Sequence, residues 1–465
     1  MRRQLQRRSG GRMIAAVSVV AALGLGAAAC SSSNASPTSS AGGPVTISIN
    51  CAPTQAQNPI QHKEWVKDVA TFEKANPKIT IKSVYNNPCT NLPVLTAQLR
   101  AGTEPNIFYI DFTDLPQVLA AGQAADITSY VNSKTVPTLK DLVPSAMKAV
   151  TAGKTIYGLP TNTYTQGLIY NRKLFSEAGL NPNDPPTTWA QVETDAKAIA
   201  KLGHGIEGWG DYSAGNNGGW HFASYMDALG GTTVTNAVPP TAGFDNSNGL
   251  AILQALHTLR FTDSAMSKTQ GLAWGTLQAQ FGAGKLGMYI AAPDDVYNQI
   301  VAVDKGNIND IGMGPLPSLT GKPAGSLGGG NAYIFAKSDT PAQIQAGIKF
   351  INFEDLTPGK GVTFNYARAK ADGIPVGFDE PSLFNGAAGA QVSALRTKYT
   401  TINQSYYKAY VDANEVSDGE PFDAQAVYKT LDPMMLAVLT EPTVNIPALL
   451  KTSATNVNTL LQFSA

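Results

Sequence analysis

The sequence is poor in histidine, cysteine and charge. It has four histidines and three cysteines in 465 residues, and charged side chains make up 15% of the chain. The histidines form no HxxxH or HExxH pair, so the sequence predicts no metal site. Lysine plus arginine equals aspartate plus glutamate at 34 each, and no basic stripe occurs in the body of the chain, which argues against nucleic-acid binding.

Two motifs of enzymes are incomplete. Gly153-Lys154-Thr155 resembles the end of a phosphate loop, but Lys148 stands where GxxxxGK[ST] requires its first glycine. Ser326 lies in a Gly-Ser-Leu-Gly sequence, but Ala324 replaces the first glycine of GxSxG. We therefore expect no nucleotide site, no hydrolase nucleophile and no cofactor.

The one long apolar run, residues 13–29, follows a segment without acids and ends in three alanines before Cys30. A basic start, an apolar run of this length and small residues at its end are typical of a signal peptide, which we assign to residues 1–29. Ala27-Ala28-Ala29-Cys30 resembles a lipoprotein cleavage site, with Cys30 lipidated, although Ala27 stands where leucine is more common. A retained membrane anchor and an unlipidated secreted form are the alternatives. The basic residues of this segment are Arg2, Arg3, Arg7, Arg8 and Arg12.

Without those arginines 29 bases face 34 acids, a net charge of about −5. Residues 30–44 are rich in serine, glycine and proline and predict a flexible tether. Cys51 and Cys89 are then the remaining cysteines, and an even number in an oxidising compartment favours a disulfide over two free thiols.

Strands and helices alternate from residue 45 onward. The Val-Thr-Ile-Ser-Ile-Asn run at 45–50 predicts a strand, 58–75 an amphipathic helix and 79–85 a second strand. Such a βαβ unit places both strands parallel, with Cys51 and Cys89 in loops at one edge of the sheet. The chain is too long for one core, so the sequence predicts an α/β protein of two lobes.

The lobes are predicted to be discontinuous. Residues 45–160 and 326–375 form lobe one, and residues 161–325 and 376–465 form lobe two. The first crossing is predicted at 153–189, where strands at 156–159 and 168–170 flank a polar turn at 161–163. A return crossing is expected near the glycine-rich run at 325–330.

Carboxylates and aromatic rings are the candidate site residues. The pairs Asp111/Asp114 and Asp294/Asp295 follow predicted strands, where they could bind sugar hydroxyls, cap helices or, as a third alternative, act in glycoside hydrolysis. Trp209 and Trp220 lie in a glycine-rich stretch, which favours rings available to stack on a sugar, and Tyr164 lies in the crossing. The other tryptophans, Trp65, Trp189 and Trp274, are expected to pack in the interior. Arg368 is expected to lie on a solvated helix face, with a position that reaches the cleft as the alternative.

Several segments resemble the extracellular sugar-binding proteins of ABC importers, the group that includes maltose-binding protein. The resemblance rests on Gly-Lys-x-Tyr-Gly-Leu-Pro at 153–160, Leu-Ile-Tyr-Asn-Arg-Lys-Leu-Phe at 168–175 and the Pro-x-Thr-Trp helix start at 186–189. It is extended by Phe72–Pro77, Ala101–Asp111 and Phe281–Ile290, in order over about 400 residues. Asn106 departs from the aspartate usual at its position.

The resemblance implies a two-lobed periplasmic-binding-protein fold and no enzyme activity. A carbohydrate would bind between the lobes and be delivered by a monomeric, extracytoplasmic, lipid-anchored protein to membrane permease subunits with a separate ATPase. The loop at 51–58 lacks the tryptophan or acid often found there, and the position of Asp294 is aromatic in maltose-binding protein. A peptide or polyamine ligand on the same fold is the alternative. The implied ligand contacts are Asp111, Tyr164, Trp209, Trp220, Asp294, Gly329, Gly330 and Asn331.

Overall fold

A computed structural model describes residues 43–85, 92–378, 382–413 and 417–464. The predicted signal peptide, most of the tether, Cys30 and Cys89 lie outside the described residues. Among the helices within those ranges, none combines the length and apolar character needed to cross a membrane.

Strands and helices alternate along the chain, as the sequence predicts. The strands are β1 (Val45–Ala52), β2 (Ile79–Tyr85), β3 (Ile107–Asp111), β4 (Thr151–Ala152), β5 (Thr155–Ile156), β6 (Gly158–Thr165), β7 (Gly167–Asn171), β8 (Glu207–Trp209), β9 (Leu286–Ala291), β10 (Ile311–Gly314), β11 (Ser326–Phe335) and β12 (Ser417–Gly419). The helices are α1 (Pro59–Ala75), α2 (Leu92–Ala101), α3 (Leu115–Ala120), α4 (Pro144–Ala149), α5 (Arg172–Glu177), α6 (Trp189–Ala200), α7 (Asn217–Ala228), α8 (Ser247–His257), α9 (Thr276–Gly282), α10 (Pro341–Glu354), α11 (Tyr366–Ala371), α12 (Gly386–Tyr399), α13 (Lys408–Ala413), α14 (Ala424–Thr440) and α15 (Ile446–Ser464).

The first sheet has the strand order β12-β11-β3-β1-β2, and β6 also pairs with β11. Strands β1 and β2 are parallel and in register from Val45 opposite Ile79, so the predicted βαβ unit is confirmed. Strand β1 runs through Cys51 and ends at Ala52, with a register shift between Ile49 and Ala52, so Cys51 lies in the strand rather than after it.

The second sheet has the order β10-β7-β9-β8, and its helices enclose a core of their own. Helix α6 begins as predicted, because the Thr188 hydroxyl accepts the N–H of Gln191 while the Gln191 side chain accepts the N–H of Thr188. Two sheets with separate cores are the two lobes that the sequence predicts.

The first crossing between the sheets differs from the prediction. Thr161–Thr163 is not a turn, because β6 continues as one strand from Gly158 to Thr165. Gln166 alone separates β6, in the first sheet, from β7, in the second. The Ser326 hydroxyl donates to the carbonyl of Gln166 (2.8 Å) and accepts its N–H (3.0 Å). The outgoing and returning chains are therefore joined side by side at the crossing.

Part of the late chain packs with the first sheet. Leu383, Phe384, Ala388 and Val392 share a core with β1 and β3 residues, and β12 pairs in parallel with β11. The sequence assigned everything after residue 375 to lobe two. Helices α14 and α15 do pack there, so the C-terminal region divides between the lobes.

Arg368 is buried rather than solvated, so that prediction is wrong. Its side chain is 9% exposed and binds Asp68 through two hydrogen bonds of 2.6 Å, and its Nε donates to Glu64 at 3.1 Å. Glu354 and Asp355 lie close to this cluster. Sequence periodicity missed it because the partners are about 300 residues away in α1.

We expect this acid-rich cluster to make the protein more stable at pH 5 than at pH 8. Burial, partly offset by Arg368, raises the pKa of Glu64 to about 7, and burial raises that of Asp355 to about 7. A carboxyl group whose pKa is higher in the folded protein than in the unfolded chain binds more protons in the folded state. Its contribution to the free energy of unfolding is therefore complete below about pH 4 and is lost as the pH rises through 7. The free energy of unfolding should fall by roughly 2–4 kcal/mol between pH 5 and pH 8.

Calorimetric melting temperatures from pH 5 to 8 check this expectation. Asp355→Asn should flatten the profile, whereas replacement of the exposed Asp245 should leave its slope unchanged. A melting temperature that rises with pH in the parent protein would contradict it.

Candidate functional site

A cavity of about 510 Å³ lies between the two lobes. Its lobe-one wall includes Thr54, Gln61 and Tyr109, and its lobe-two wall includes Trp274 and Asp294. This volume is within the range of roughly 300–1,000 Å³ typical of small-molecule sites.

The two walls touch directly. Gln61 Nε2, on α1, donates to Asn298 Oδ1 at 2.8 Å, in the π-helical turn Asp295–Val301 of the other lobe. This contact closes one side of the cavity. The structure is therefore one in which the lobes have approached each other.

Tyr164 lines the cavity from β6 at the crossing. It lies opposite Gly329 of β11, where a Cβ would stand 2.6 Å from the Tyr164 hydroxyl and 2.9 Å from Glu420 Oε2. Gly330 is constrained in the same way, because a Cβ added at this position would meet the ring of Phe112 and the carbonyl of Asn162. Both glycines leave room for neighbouring side chains.

Asn331 forms hydrogen bonds with two other side chains of the protein. Its Nδ2 donates to Asp111 Oδ1 at 2.7 Å, and its backbone N–H donates to Asn162 Oδ1 at 2.9 Å. Asp114 accepts the backbone N–H of Asp111 at the start of a 3₁₀ turn, so this pair takes part in capping. The structure thus brings Asp111 and Asn331 together, but neither lines the cavity, and their role as ligand contacts stays a prediction.

We expect Gly329→Ala to weaken ligand binding at least tenfold, because its methyl group displaces Tyr164 or Glu420. Gly419→Ala is the matched control, since a Cβ there would meet nothing within 4 Å. Titration calorimetry with a ligand found for the parent protein measures both. Equal affinity in the two variants would show that the packing around Gly329 does not control the site.

Carboxylates surround the Tyr164 end of the cavity. Asp294 lines the wall, and burial raises its pKa, offset by the backbone N–H groups of 294 and 295. Burial and the charge of Asp294 raise the pKa of Asp295 to about 8, although Trp274 and Gln278 donate to its Oδ1. Burial and nearby Asp111 raise the pKa of the half-buried Glu420 to about 8.

Trp220 stands edge-on to Tyr164 with ring centroids 6.2 Å apart. It is half-buried on α7, and the N–H groups of Asn216 and Gly219 at the start of that helix donate to Asp432 of α14. The next residue, His221, is fixed by a 2.7 Å hydrogen bond to Asp211. Trp220 therefore contacts Tyr164 but does not itself line the cavity, and its stacking on a ligand stays a prediction.

Trp209 does not face the cavity, so its predicted accessibility is wrong. It ends β8, is 0% exposed and packs against Trp189 with centroids 5.5 Å apart. Glycine content suggested an open loop, but β8 pairs with the buried β9 and places the ring in the lobe-two core.

Trp274 was predicted to pack inside and is 50% exposed on the cavity wall. Helix α9 begins at Thr276, so Trp274 lies before the helix rather than on its packed face. Tyr297, Gln61, Asn298 and Glu420 were also missed. The position of Tyr297 just after Asp294/Asp295 was the one signal for it in the sequence.

The architecture defines a class: a two-lobed α/β protein with a cavity between its lobes. Residues 58–354, more than half of the chain, match the family of bacterial extracellular solute-binding proteins. The protein belongs to that family.

The sequence relatives match over shorter stretches. A binding protein of Brucella abortus is 29% identical over 230 residues, 48% of this chain and 52% of the relative. The sn-glycerol-3-phosphate-binding periplasmic protein UgpB of Salmonella paratyphi A is 32% identical over 182 residues, 35% of this chain and 39% of the relative. The matches thus span about half or less of these relatives.

Solved structures match nearly the whole chain. An ABC transporter solute-binding protein of Thermotoga lettingae bound with α-D-tagatose has a TM-score of 0.71 at 20% identity, covering 90% of this chain and 99% of the other. Maltose-bound MalE3 of T. maritima has a TM-score of 0.68 at 18% identity, covering 90% and 100%. At this identity the likeness establishes the fold.

Proposed function

We propose that this protein is the substrate-binding lipoprotein of an ABC importer and captures a sugar or oligosaccharide between its lobes. The observation that carries the proposal is the inter-lobe cavity, which is lined by aromatic rings and neutral hydrogen-bonding side chains. Rings pack on the C–H faces of a pyranose, and amides bind its hydroxyls. The rings are Trp65, Tyr109, Tyr164, Trp274, Tyr297, Tyr333, Phe364, Tyr366 and Phe378, and the amides are Gln57, Asn58, Gln61, Asn162, Asn298, Gln299 and Asn365.

The charge of the cavity argues against a phosphorylated ligand such as the one named for the UgpB relatives. Among the described residues that line the cavity, Arg396 is the one basic side chain. The lining carboxylates are those of Glu64, Asp294, Glu354 and Asp355. Phosphate recognition normally uses arginine, lysine or helix N-termini aimed at the ligand. A peptide or polyamine remains the second candidate, because acids would suit its amines.

Capture is proposed to occur by hinge closure at Gln166 and the neighbouring Ser326. A ligand that contacts Tyr164 and Asp294, on opposite sides of the crossing, binds the closed form more tightly than the open form and so shifts the population towards it. A change from 1:99 to 99:1 requires about 5.5 kcal/mol of differential binding.

The proposal also covers the N-terminal segment, the cysteines and the membrane partners. Cys30 carries the lipid after removal of residues 1–29, and residues 30–44 tether the protein to the outer face of the cytoplasmic membrane. Cys51 and Cys89 form a disulfide, and the monomeric protein docks on a permease driven by a separate ATPase. Intact mass of the membrane-extracted protein tests the lipid, and alkylation without reductant should find no thiol at Cys51 or Cys89.

A thermal-shift panel tests the ligand class. Mono- and oligosaccharides, peptides, polyamines and glycerol 3-phosphate are each added to the protein, and a ligand at about 100 times its Kd should add roughly 2.7 kcal/mol to the free energy of unfolding. We expect shifts with saccharides. Shifts with a peptide or glycerol 3-phosphate and none with any saccharide would refute the carbohydrate assignment.

A further inference from the structure

Trp274 is anchored at both its backbone and its ring. Its backbone N–H donates to Asn217 Oδ1 at 2.9 Å, and its indole N–H donates to Asp295 Oδ1 at 3.1 Å. Asn217 begins α7 and Asp295 begins the π-helical turn, so two separate segments hold the residue. Trp274 is 50% exposed. A side chain with half its surface in solvent is held by little packing, so these hydrogen bonds set its rotamer.

Asp295 is buried behind this ring. It is 5% exposed, its Oδ1 also accepts the amide Nε2–H of Gln278 at 3.2 Å, and its Oδ2 has no hydrogen-bond partner among the described residues. Burying a carboxyl group with an unfilled acceptor costs free energy, and such a group in a folded protein calls for an explanation. The group on the cavity wall that Asp295 fixes is the indole of Trp274.

Gln278 fixes Asp295 in turn. Its Oε1 accepts the backbone N–H of Gly275 and the hydroxyl of Tyr212, each at 2.8 Å. A backbone N–H can only donate, so Oε1 is the acceptor and the amide nitrogen must face Asp295. Gln278 and Tyr212 are both 0% exposed. The support behind the ring is therefore buried, and the direction of each hydrogen bond in it is set.

The anchored N–H decides what Trp274 offers to a ligand. Because the indole N–H is bound by Asp295, the part of the ring left for the cavity is its carbon surface. A flat carbon surface packs on the C–H face of a pyranose. A ring that is already held loses less conformational freedom on binding than a mobile one, so ligand affinity depends on the group that holds the ring.

We propose that Asp295 is a positioning residue of the ligand site, which holds the indole of Trp274 in the orientation in which its ring packs on a bound sugar. Gln278 supports this role by fixing the carboxyl group. The inference rests on the proposed carbohydrate-binding function and adds the residue on which the orientation of the stacking ring depends.

Titration calorimetry on the full-length protein measures the effect. The probe is whichever of glucose, galactose, mannose, cellobiose and maltotriose raises the melting temperature of the parent protein most. We expect Asp295→Ala to raise its Kd by roughly fivefold or more. Asp295→Asn keeps an oxygen acceptor for the indole and should recover most of that loss. Asp263→Ala is the matched control and should leave the Kd unchanged, because Asp263 is an acid of lobe two whose side chain is 8% exposed and binds Lys197 outside the cavity lining.

A double-mutant cycle separates positioning from a purely structural role. Trp274→Phe keeps a ring but removes the N–H that Asp295 accepts. In this background Asp295→Ala should raise the Kd by less than about twofold, since no anchored orientation is left to lose. A rise as large as in the parent protein would show that Asp295 acts on the site by another route and would overturn the inference.

Spectra of the indole N–H groups test the hydrogen bond without ligand. The protein is labelled with isotopically enriched tryptophan for nuclear magnetic resonance, and the signal of Trp274 among the five tryptophans is the one absent from Trp274→Phe. We expect this N–H to exchange with solvent roughly tenfold faster in Asp295→Ala and to stay protected in Asp295→Asn. An unchanged signal in Asp295→Ala contradicts the positioning role.

The outcomes distinguish this inference from the function on which it rests. Circular dichroism confirms folding of each variant, and Asp295→Leu, which removes the acceptor and keeps the volume, replaces Asp295→Ala if the latter does not fold. If a saccharide binds and loss of the Asp295 acceptor leaves its Kd unchanged, the inference is overturned and the carbohydrate function stands. If no saccharide binds the parent protein, both fail.

Discussion

Replacing Arg368 by methionine should lower the free energy of unfolding by about 3–5 kcal/mol at pH 7. The guanidinium is the base that binds Asp68 and Glu64 in the cluster, and neither acid is more than 6% exposed. Glu354 beside them has no hydrogen-bond partner on either carboxylate oxygen. Without Arg368 the acids are left buried and unpaired, and they can only respond by taking up protons or by unfolding.

Lys63→Met is the matched control. Lys63 also joins α1 to the α11 region, through Asp372 at 3.0 Å, but it is 72% exposed, and exposed pairs contribute little. Both variants lose one positive charge. Calorimetry should give a large fall in melting temperature for Arg368→Met and a small one for Lys63→Met.

The pH dependence separates the mechanism from simple loss of packing. The deficit of Arg368→Met should shrink from pH 7 to pH 5, because protonation neutralises the unpaired acids. Equal deficits in both variants, or a deficit that grows towards pH 5, would contradict a buried ionic network in lobe one.

Trp209→Ala should destabilise the protein by about 3–5 kcal/mol without changing ligand affinity in the folded protein. The ring is fully buried against Trp189, so its loss leaves a cavity in lobe two. Its indole Nε1 has no hydrogen-bond partner, so Trp209→Phe loses no hydrogen bond and should cost much less.

Trp274→Ala gives the opposite pattern. This tryptophan is half exposed on the cavity wall, so its removal should raise the ligand Kd at least tenfold. The melting temperature should fall much less than in Trp209→Ala, because Gln278 still donates to Asp295 after the indole N–H is lost. Melting curves and titrations with one saccharide cover both variants. A raised Kd in folded Trp209→Phe with an unaffected Trp274→Ala would reverse our assignment of the two rings.

Sequence reasoning succeeds for local elements and fails for the burial of single side chains. The strand predicted at 45–50, the helix predicted at 58–75 and the helix start predicted at 186–189 are observed at 45–52, at 59–75 and at Trp189, because their signals are local. Trp209 and Trp274 were assigned the wrong way round, because burial depends on which strand pairs beside each ring.

Tyr164 and Asp111 were predicted because they follow or lie in strands that end at the crossing, where α/β folds place their sites. The structure places Tyr164 on the cavity lining and Asp111 behind it, bound to Asn331. Glu420 was missed, since nothing near it in the chain indicates that β12 joins the first sheet beside β11. Arg368 was misplaced for the same reason, as its acids lie about 300 residues away.

The sequence by itself therefore determined the alternation of strands and helices, the division into two lobes, the family resemblance and the lack of a phosphate loop. These depend on periodicity, length and the order of short motifs. The tertiary structure decided that Thr161–Thr163 is strand rather than turn, that residues 383–392 belong with the first sheet and that Trp274, not Trp209, lines the cavity. Contacts between distant segments form only when the sheets pair, and outside the βαβ unit at 45–85 no local pattern in the chain encodes which strands become neighbours.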